Sequence, residues 1–382
     1  MEGAADKGQS YVLPDELDVV SRILNHVENK TTDLHNLVWK EPVEHYESAQ
    51  RLERERVAFE RLPLLVCPKG VLDKPGCFIT QTMAGQDLLF VRTKEGPIVG
   101  FRNACRHRGA RIAEEAGCEK AFVCRYHGWT YDLSGNLIHI PNQEIGFPGL
   151  KREEHGLVNV DVRELHGLIW VGLSPNTDWT TLSPLDKPLI ALGLESRKRI
   201  KPWTRDVNAN WKIVMETFLE GYHIRHLHKD SFYPLGYDNL VLNDYYGRHS
   251  RVIFPFNRIE NLRELRPAER SARGNLTAVY QVFPSSLVAL LTHHVNVLSF
   301  DSLSQTKTRI SGYALYEEGI PLEKVDKDIG FLFQGLDEDF AAAESIQRAI
   351  SSRANKDFSF GRFEGAITHF HSGIADALSS AT

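Results

Sequence analysis

Between residues 105 and 127 the chain places two cysteines and two histidines in a fixed pattern: Cys105-x-His107, sixteen residues, then Cys124-x2-His127. In an extended loop, residues two apart point the same way, so Cys105 and His107 can address one metal site together. Cys124 and His127 suit a tight turn, with Gly128 letting the backbone bend. The segments around them, GCFITQTMAG, QDLLFVRT, GPIVGFRN, KAFVCRYH and GLIWVGLS, are short, β-branched or aromatic, and separated by Gly or Pro. That texture predicts a small antiparallel β domain over residues 62–175, with both halves of the pattern in its loops.

Two chemistries fit two thiolates and two imidazoles. One is a tetrahedral structural zinc. The other is a two-iron, two-sulfur cluster of the Rieske kind, both thiolates on one iron and both imidazoles on the other. The flanks RHRGAR and CRYHGWTYD are rich in hydrogen-bond donors and carry Trp129 and Tyr131. Donors aimed at the sulfurs and a partly dry shell are what a cluster needs, so the cluster is the favoured reading. The remaining thiols, Cys67, Cys77 and Cys118, read as buried or incidental. Five cysteines is an odd number, and the opening MEGAADKGQSYVLPDEL has no apolar core of a secretory leader. A reducing, cytoplasmic setting without a disulfide framework is therefore expected. No apolar run reaches the roughly 18 residues of a membrane span. A net charge of −5 gives no reason to expect a nucleic-acid partner.

A length of 382 residues suggests two domains, or one large one with an insertion. Residues 1–61 read as a helical segment packing on the second domain. Leu17, Val20, Leu24 and Val27 form one apolar helix face, with Asp15 as a candidate cap. In EHYESAQRLERERVAFERL the alternating Glu and Arg read as a solvated helix face with i,i+4 pairs. NTDWTTLSP reads as a linker. Residues 176–382 mix helices, around 209–228 and 334–350, with strands over 276–300 and 306–316, so the class is α+β.

A second constellation lies in NWKIVMETFLEGYHIRHLHKDSF. Glu220 and His223 are three apart and can share a helix face. His223 and His228 are five apart, so the helix must end or bulge between them if both face one metal. His226 is the rival. A cluster moves electrons singly and does no chemistry on an organic substrate. Two neutral imidazoles and one carboxylate would supply the missing centre, the facial triad of non-haem Fe(II) oxygenases.

Both motifs in this order resemble the Rieske non-haem iron oxygenases, specifically the catalytic alpha subunit of the ring-hydroxylating family, from about Leu62 to the C-terminus. The resemblance implies a helix-grip catalytic domain around an antiparallel sheet. The family pattern, acid, two residues, His, four residues, His, falls on Glu220, His223 and His228 and leaves His226 out. The third iron ligand falls on Asp339 in DEDFAAAESIQ, beside Asp337 and Glu338. In the family the acid at position 220 links a Rieske histidine of one subunit to an iron-binding histidine of the next, which implies a homotrimer. Members commonly have Asp there; Glu occurs in members that oxidise quaternary amines. Thr217 stands where many members have Asn.

The cofactors implied are one Rieske cluster and one mononuclear Fe(II) per subunit. The activity implied is O2-dependent hydroxylation, dihydroxylation or oxidative demethylation of a small organic molecule, aromatic or, alternatively, a carnitine- or betaine-like quaternary amine. Electrons would come from NAD(P)H through a separate reductase, with or without a ferredoxin, since no G-x-G-x-x-G opens a helix here. Met215, Phe218, Leu219 and the run 283–291 are candidate pocket walls. The readings from other classes are a Rieske electron carrier and a zinc-stabilised binding module.

Overall fold

A computed structural model describes residues 13–197 and 199–381. The first twelve residues, most of the opening read as lacking a leader, lie outside the described residues.

The strand-like segments after Leu62 form one seven-stranded antiparallel sheet. Its spatial order is Leu64–Pro68, Leu168–Gly172, Asn159–Leu165, Ile98–Arg102, Gln86–Arg92, Cys77–Met83, Ala116–Cys118. Three short strands, Phe122–Val123, Thr130–Tyr131 and Leu137–His139, make a second small sheet. The apolar run LLFV in Gln86–Arg92 has no polar alternation because both faces of its strand are covered. Leu88 and Phe90 point into the main core, while Leu89 and Val91 point into a separate core with Phe101, Cys105, Cys124 and Trp129. A strand's period of two sends alternate residues to the two sides. The loops with the Cys/His pattern thus rest on their own apolar base.

Cys77 and Cys118 do not fit the expectation of incidental thiols. They face each other across paired strands and form a disulfide; Cys67, Cys105 and Cys124 are free. A separation of 41 residues leaves no local spacing from which such a pair could be read.

The second domain is built on another seven-stranded antiparallel sheet, ordered Arg199–Val207, Lys307–Tyr316, Val295–Ser304, Ser286–Leu290, Leu276–Val282, His249–Pro255, Leu242–Tyr246. The helix expected over 334–350 begins at Leu322 and runs to Ile350. Gly330 and Gly335 sit inside it despite their low propensity. Gly335 has a packing reason: a Cβ there would lie 2.0 Å from the Phe232 ring. A C-terminal helix, Gly365–Ala381, packs on helix Ala49–Phe59 and was not expected. The linker reading at NTDWTTLSP gives way to a 3-10 helix, Trp179–Leu185.

Three details of the N-terminal segment differ from expectation. Helix Glu16–Asn29 buries Val19, Val20, Ile23 and Leu24, and Leu17 is exposed. Asp15 holds the N-cap position, but its carboxylate accepts from the buried Arg251 guanidinium at 2.6 and 2.8 Å instead of capping. Glu55 does not belong to a solvated face. It is fully buried and accepts from Lys212 Nζ at 2.9 and 3.0 Å, Arg51 Nε at 2.9 Å and Trp211 Nε1 at 3.2 Å. A buried carboxylate needs that many donors to offset its desolvation. No helix among the described residues is long and apolar enough to cross a membrane.

Candidate metal centres and cavity

The two Cys/His loops share one backbone design. Cys105 N–H donates to Ala110 O at 2.8 Å, and Gly109 N–H donates to Cys105 O at 2.9 Å. Cys124 N–H donates to Trp129 O at 2.8 Å, and Gly128 N–H donates to Cys124 O at 2.9 Å. Each loop therefore closes on a glycine four residues after its cysteine, with φ of 77° at Gly109 and 75° at Gly128. That left-handed conformation strongly favours glycine. The sequence signal was present in CRHRG and CRYHG, but only Gly128 was read from it.

The loops sort their ligands by depth. Cys105 and Cys124 are buried, His107 is half-buried and His127 is exposed. The two imidazole centroids are 4.7 Å apart. Trp129 stacks on His107 at 5.0 Å with planes 12° apart, and Tyr131 brings its hydroxyl 3.4 Å from Cys105 Sγ. Arg106 N–H donates to that hydroxyl at 3.0 Å. Burial, then the neighbouring His127 and Arg108, hold His107 below the usual imidazole range, which keeps a lone pair available to a metal. Thiols inside and imidazoles outside suit a group with two metal ends. Among the described residues only His223, His228 and Asp339 bring three ligand atoms within 4.8 Å of one another. The four loop residues do not close on one point as a single tetrahedral zinc requires.

Those three side chains form the second centre. The stretch 209–228 is not one helix: Trp211–Glu216 ends early, and His223 and His228 flank a single turn, Ile224–Leu227. The two Nε2 atoms are 3.2 Å apart, and Asp339 Oδ1 lies 3.1 Å from His228 Nε2 and 3.4 Å from His223 Nε2. Burial alone would lower the His223 imidazole, but Glu220 and Asp339 push it up to about 10. A divalent metal would replace that proton.

The rival residues separate cleanly. His226 is exposed. Asp337 points outward to Arg205. Glu338 accepts from His228 Nδ1 at 2.6 Å and from Ser231 Oγ at 2.6 Å. Glu220 plays the matching part for His223: one carboxylate oxygen meets Nδ1, and the other accepts from the backbone N–H of Tyr222 and, at 3.2 Å, of His223. Each imidazole thus has a carboxylate on its outer nitrogen and presents its inner nitrogen to the centre. Sequence reasoning assigned Glu220 and missed Glu338 and Ser231 in these positions.

A cavity of about 560 Å³ opens beside this centre. Phe218, Phe254, Val279, Ala289, Leu298 and Phe331 give it apolar walls. Of the expected walls, Phe218, Ala289 and Leu291 line it, while Met215 and Leu219 are buried in core packing and do not. Two polar residues of the sheet line it, Thr277 and Asn296; Asn296 is 1% exposed, and its Oδ1 has no hydrogen-bond partner among the described residues.

Residues 63–151 match the family model described as the Rieske [2Fe-2S] domain, and residues 194–380 match the ring hydroxylating alpha subunit catalytic domain. The alpha subunit of a chlorobenzene dioxygenase from Cupriavidus sp. is 37% identical over 188 residues, 46% of this chain and 41% of that protein. The chain thus spans about two fifths of the length of the aromatic dioxygenase relatives it matches. The oxygenase subunit of a carnitine monooxygenase from Acinetobacter pittii is 25% identical over 342 residues, 83% of this chain and 87% of that protein. A crystal structure of a quaternary ammonium Rieske monooxygenase in complex with L-carnitine shares the fold, with a TM-score of 0.73 at 19% identity over 95% of this chain and 97% of that one.

Proposed function

The chain belongs to the Rieske-type ring-hydroxylating alpha subunits, and on that premise we propose that it is an oxygenase component acting on a small organic substrate with O2. In this reading residues 62–175 form the electron-transfer domain and 176–382 the catalytic domain, with the described part of 1–61 packed against the latter. When bound, a Rieske cluster relays single electrons and a mononuclear Fe(II) activates O2.

The residues divide the remaining work. Cys105 and Cys124 would hold one iron of the cluster, and His107 and His127 the other. His223, His228 and Asp339 would hold the mononuclear iron. Glu220 and Glu338 fix the two imidazole tautomers from outside, and Ser231 fixes Glu338. The apolar walls keep water from the reacting region and bind the substrate body. An exposed His127 suits a ligand that meets a second protein surface. We assign that surface to Glu220 of a neighbouring copy in a homotrimer, with electrons supplied from NAD(P)H by a separate reductase, with or without a ferredoxin.

The observation that carries this reading is the convergence of His223 Nε2, His228 Nε2 and Asp339 Oδ1 at one wall of an apolar cavity. An aromatic substrate fits those walls. A quaternary amine is the second reading, favoured by Glu220 in place of the commoner Asp and by the long match to the carnitine enzyme. The test is O2 uptake and NADH oxidation by the iron-loaded protein with a surrogate reductase, across a panel of aromatics and quaternary amines. Substrate-dependent consumption of both, with an oxygenated product, is expected. Consumption unaffected by every panel member, with no product, would contradict the assignment.

A further inference from the structure

The cavity changes character along its length, and the helix Leu322–Ile350 supplies the scale. Lys324, Asp328, Phe331 and Asp339 all line the cavity from one face of that helix, at spacings made of three- and four-residue steps. Lys324 and Asp339 are fifteen residues apart, about 22 Å along the axis. Besides the metal-binding groups the rest of the lining is mainly apolar, with Thr217, Thr277 and Asn296 among its polar side chains. The mouth carries three exposed cations, Arg258, Lys324 and Lys327.

The acid among them is already engaged. Asp328 accepts from His293 Nδ1 at 3.0 Å and from His293 N–H at 2.9 Å. Asp326, on the same helix but outside the cavity lining, pairs with Lys201. Lys324 stands in the first turn of its helix, where exposed peptide N–H groups and the macrodipole favour negative charge. A lysine there opposes the local field, and it adds its charge to the positive end of the helix. Cations, helix terminus and cavity axis all favour one kind of occupant.

We propose that the cavity binds an elongated organic anion, its carboxylate held at the mouth by Arg258, Lys324 and Lys327 and its apolar body reaching toward His223, His228 and Asp339. This rests on reading the cavity as the substrate site and narrows it: a quaternary ammonium group entering this mouth meets three cations against one carboxylate, Asp328.

A molecular ruler tests it. Calorimetric binding to the iron-loaded protein is measured for phenylacetate, phenylbutyrate and phenyloctanoate, for the neutral amide of phenyloctanoate, and for phenyloctyltrimethylammonium. Affinity should rise with chain length as the carboxylate reaches the mouth. The amide should bind about tenfold more weakly than its acid, the sum expected of a few exposed charge pairs. Added salt should weaken the acid and leave the amide unchanged. Lys324→Glu with Lys327→Glu should abolish the preference for acid over amide. Equal affinity for acid and amide, tighter binding of the ammonium compound, or a preference that survives the double lysine variant would each overturn the anion. Ala289→Trp, which fills the cavity floor, should remove the binding of acid and amide together. If both bind that variant as before, the reading of the cavity as the substrate site fails with the inference.

Discussion

Around Cys105 and Cys124 the backbone does the positioning; around His223, His228 and Asp339 side chains do. The first pair of loops closes on repeated Cys–Gly hydrogen bonds within six residues. The second centre is assembled from the turn at 220–231 and from Glu338 and Asp339, more than a hundred residues later on a helix, and it depends on Glu220, Glu338 and Ser231 to aim its imidazoles. Depth differs as well: His127 is exposed, whereas His228 and Asp339 are 1% and 5% exposed. An electron relay has to come near a partner's surface, while oxygen chemistry on an organic molecule needs a dry enclosure. The contrast follows from those two demands.

If the second centre rests on side chains, removing one supporting carboxylate should unbalance it and leave the first untouched. Glu338→Gln keeps the shape but loses the charge that holds the His228 Nδ1 proton. A fall of roughly 10–100-fold in iron affinity is expected, with an unaltered cluster spectrum. His226→Ala, which removes an exposed ring, should leave iron affinity as it was. Metal titration of the two variants separates the cases, and iron loss from His226→Ala would mean the side-chain assignment around this turn is wrong.

A smaller effect probes how far the two sheets depend on each other. Asp301 lies where strand Cys77–Met83 of the first sheet meets Val295–Ser304 of the second, with Gln81 Nε2 donating to Ser299 Oγ at 2.8 Å and to Asp301 Oδ2 at 3.4 Å. Burial pushes its carboxyl up to about 7, only partly offset by Gln81 and Arg309. A folded pKa above the unfolded one means the native state holds the extra proton. The carboxylate therefore costs nothing below about pH 4, and its cost grows as pH rises to about 7. Asp301→Asn should stabilise the protein at pH 8 by on the order of 1–3 kcal/mol relative to its effect at pH 4, with both metal centres unchanged. Denaturant melts at the two pH values measure it, and an effect independent of pH would contradict the buried-carboxylate account.

The first centre was legible because its information is local. Two Cys/His pairs and the aromatics that shield them sit within a short stretch of chain, and strand periodicity placed them on a β domain. The second was half legible. The spacing of His223 and His228 required a break in the helix, and the resemblance singled out Asp339, yet three consecutive acids could not be ordered until the helix fixed which faced in, which met His228 and which met Arg205. Asn296, Lys324 and Lys327 carried no signal at all, since an isolated polar residue in a strand and a charged helix start look the same whether or not a cavity adjoins them. The N-terminal errors share one cause: Glu55 read as part of a solvated face and Asp15 as a helix cap because their partners, Lys212 and Arg251, are more than 150 residues away.

One chain would hold two separate iron centres, a cluster on Cys105, His107, Cys124 and His127 and a single iron on His223, His228 and Asp339. The most direct test is to measure iron and acid-labile sulfide together, with the visible spectrum, in the native protein, in Asp339→Ala and in Cys105→Ser. The native protein should hold iron in excess of sulfide. Asp339→Ala should lose that excess and keep sulfide and colour, whereas Cys105→Ser should lose sulfide and colour and keep mononuclear iron. Sulfide lost from Asp339→Ala, or zinc in place of iron and sulfide in the native protein, would contradict the account.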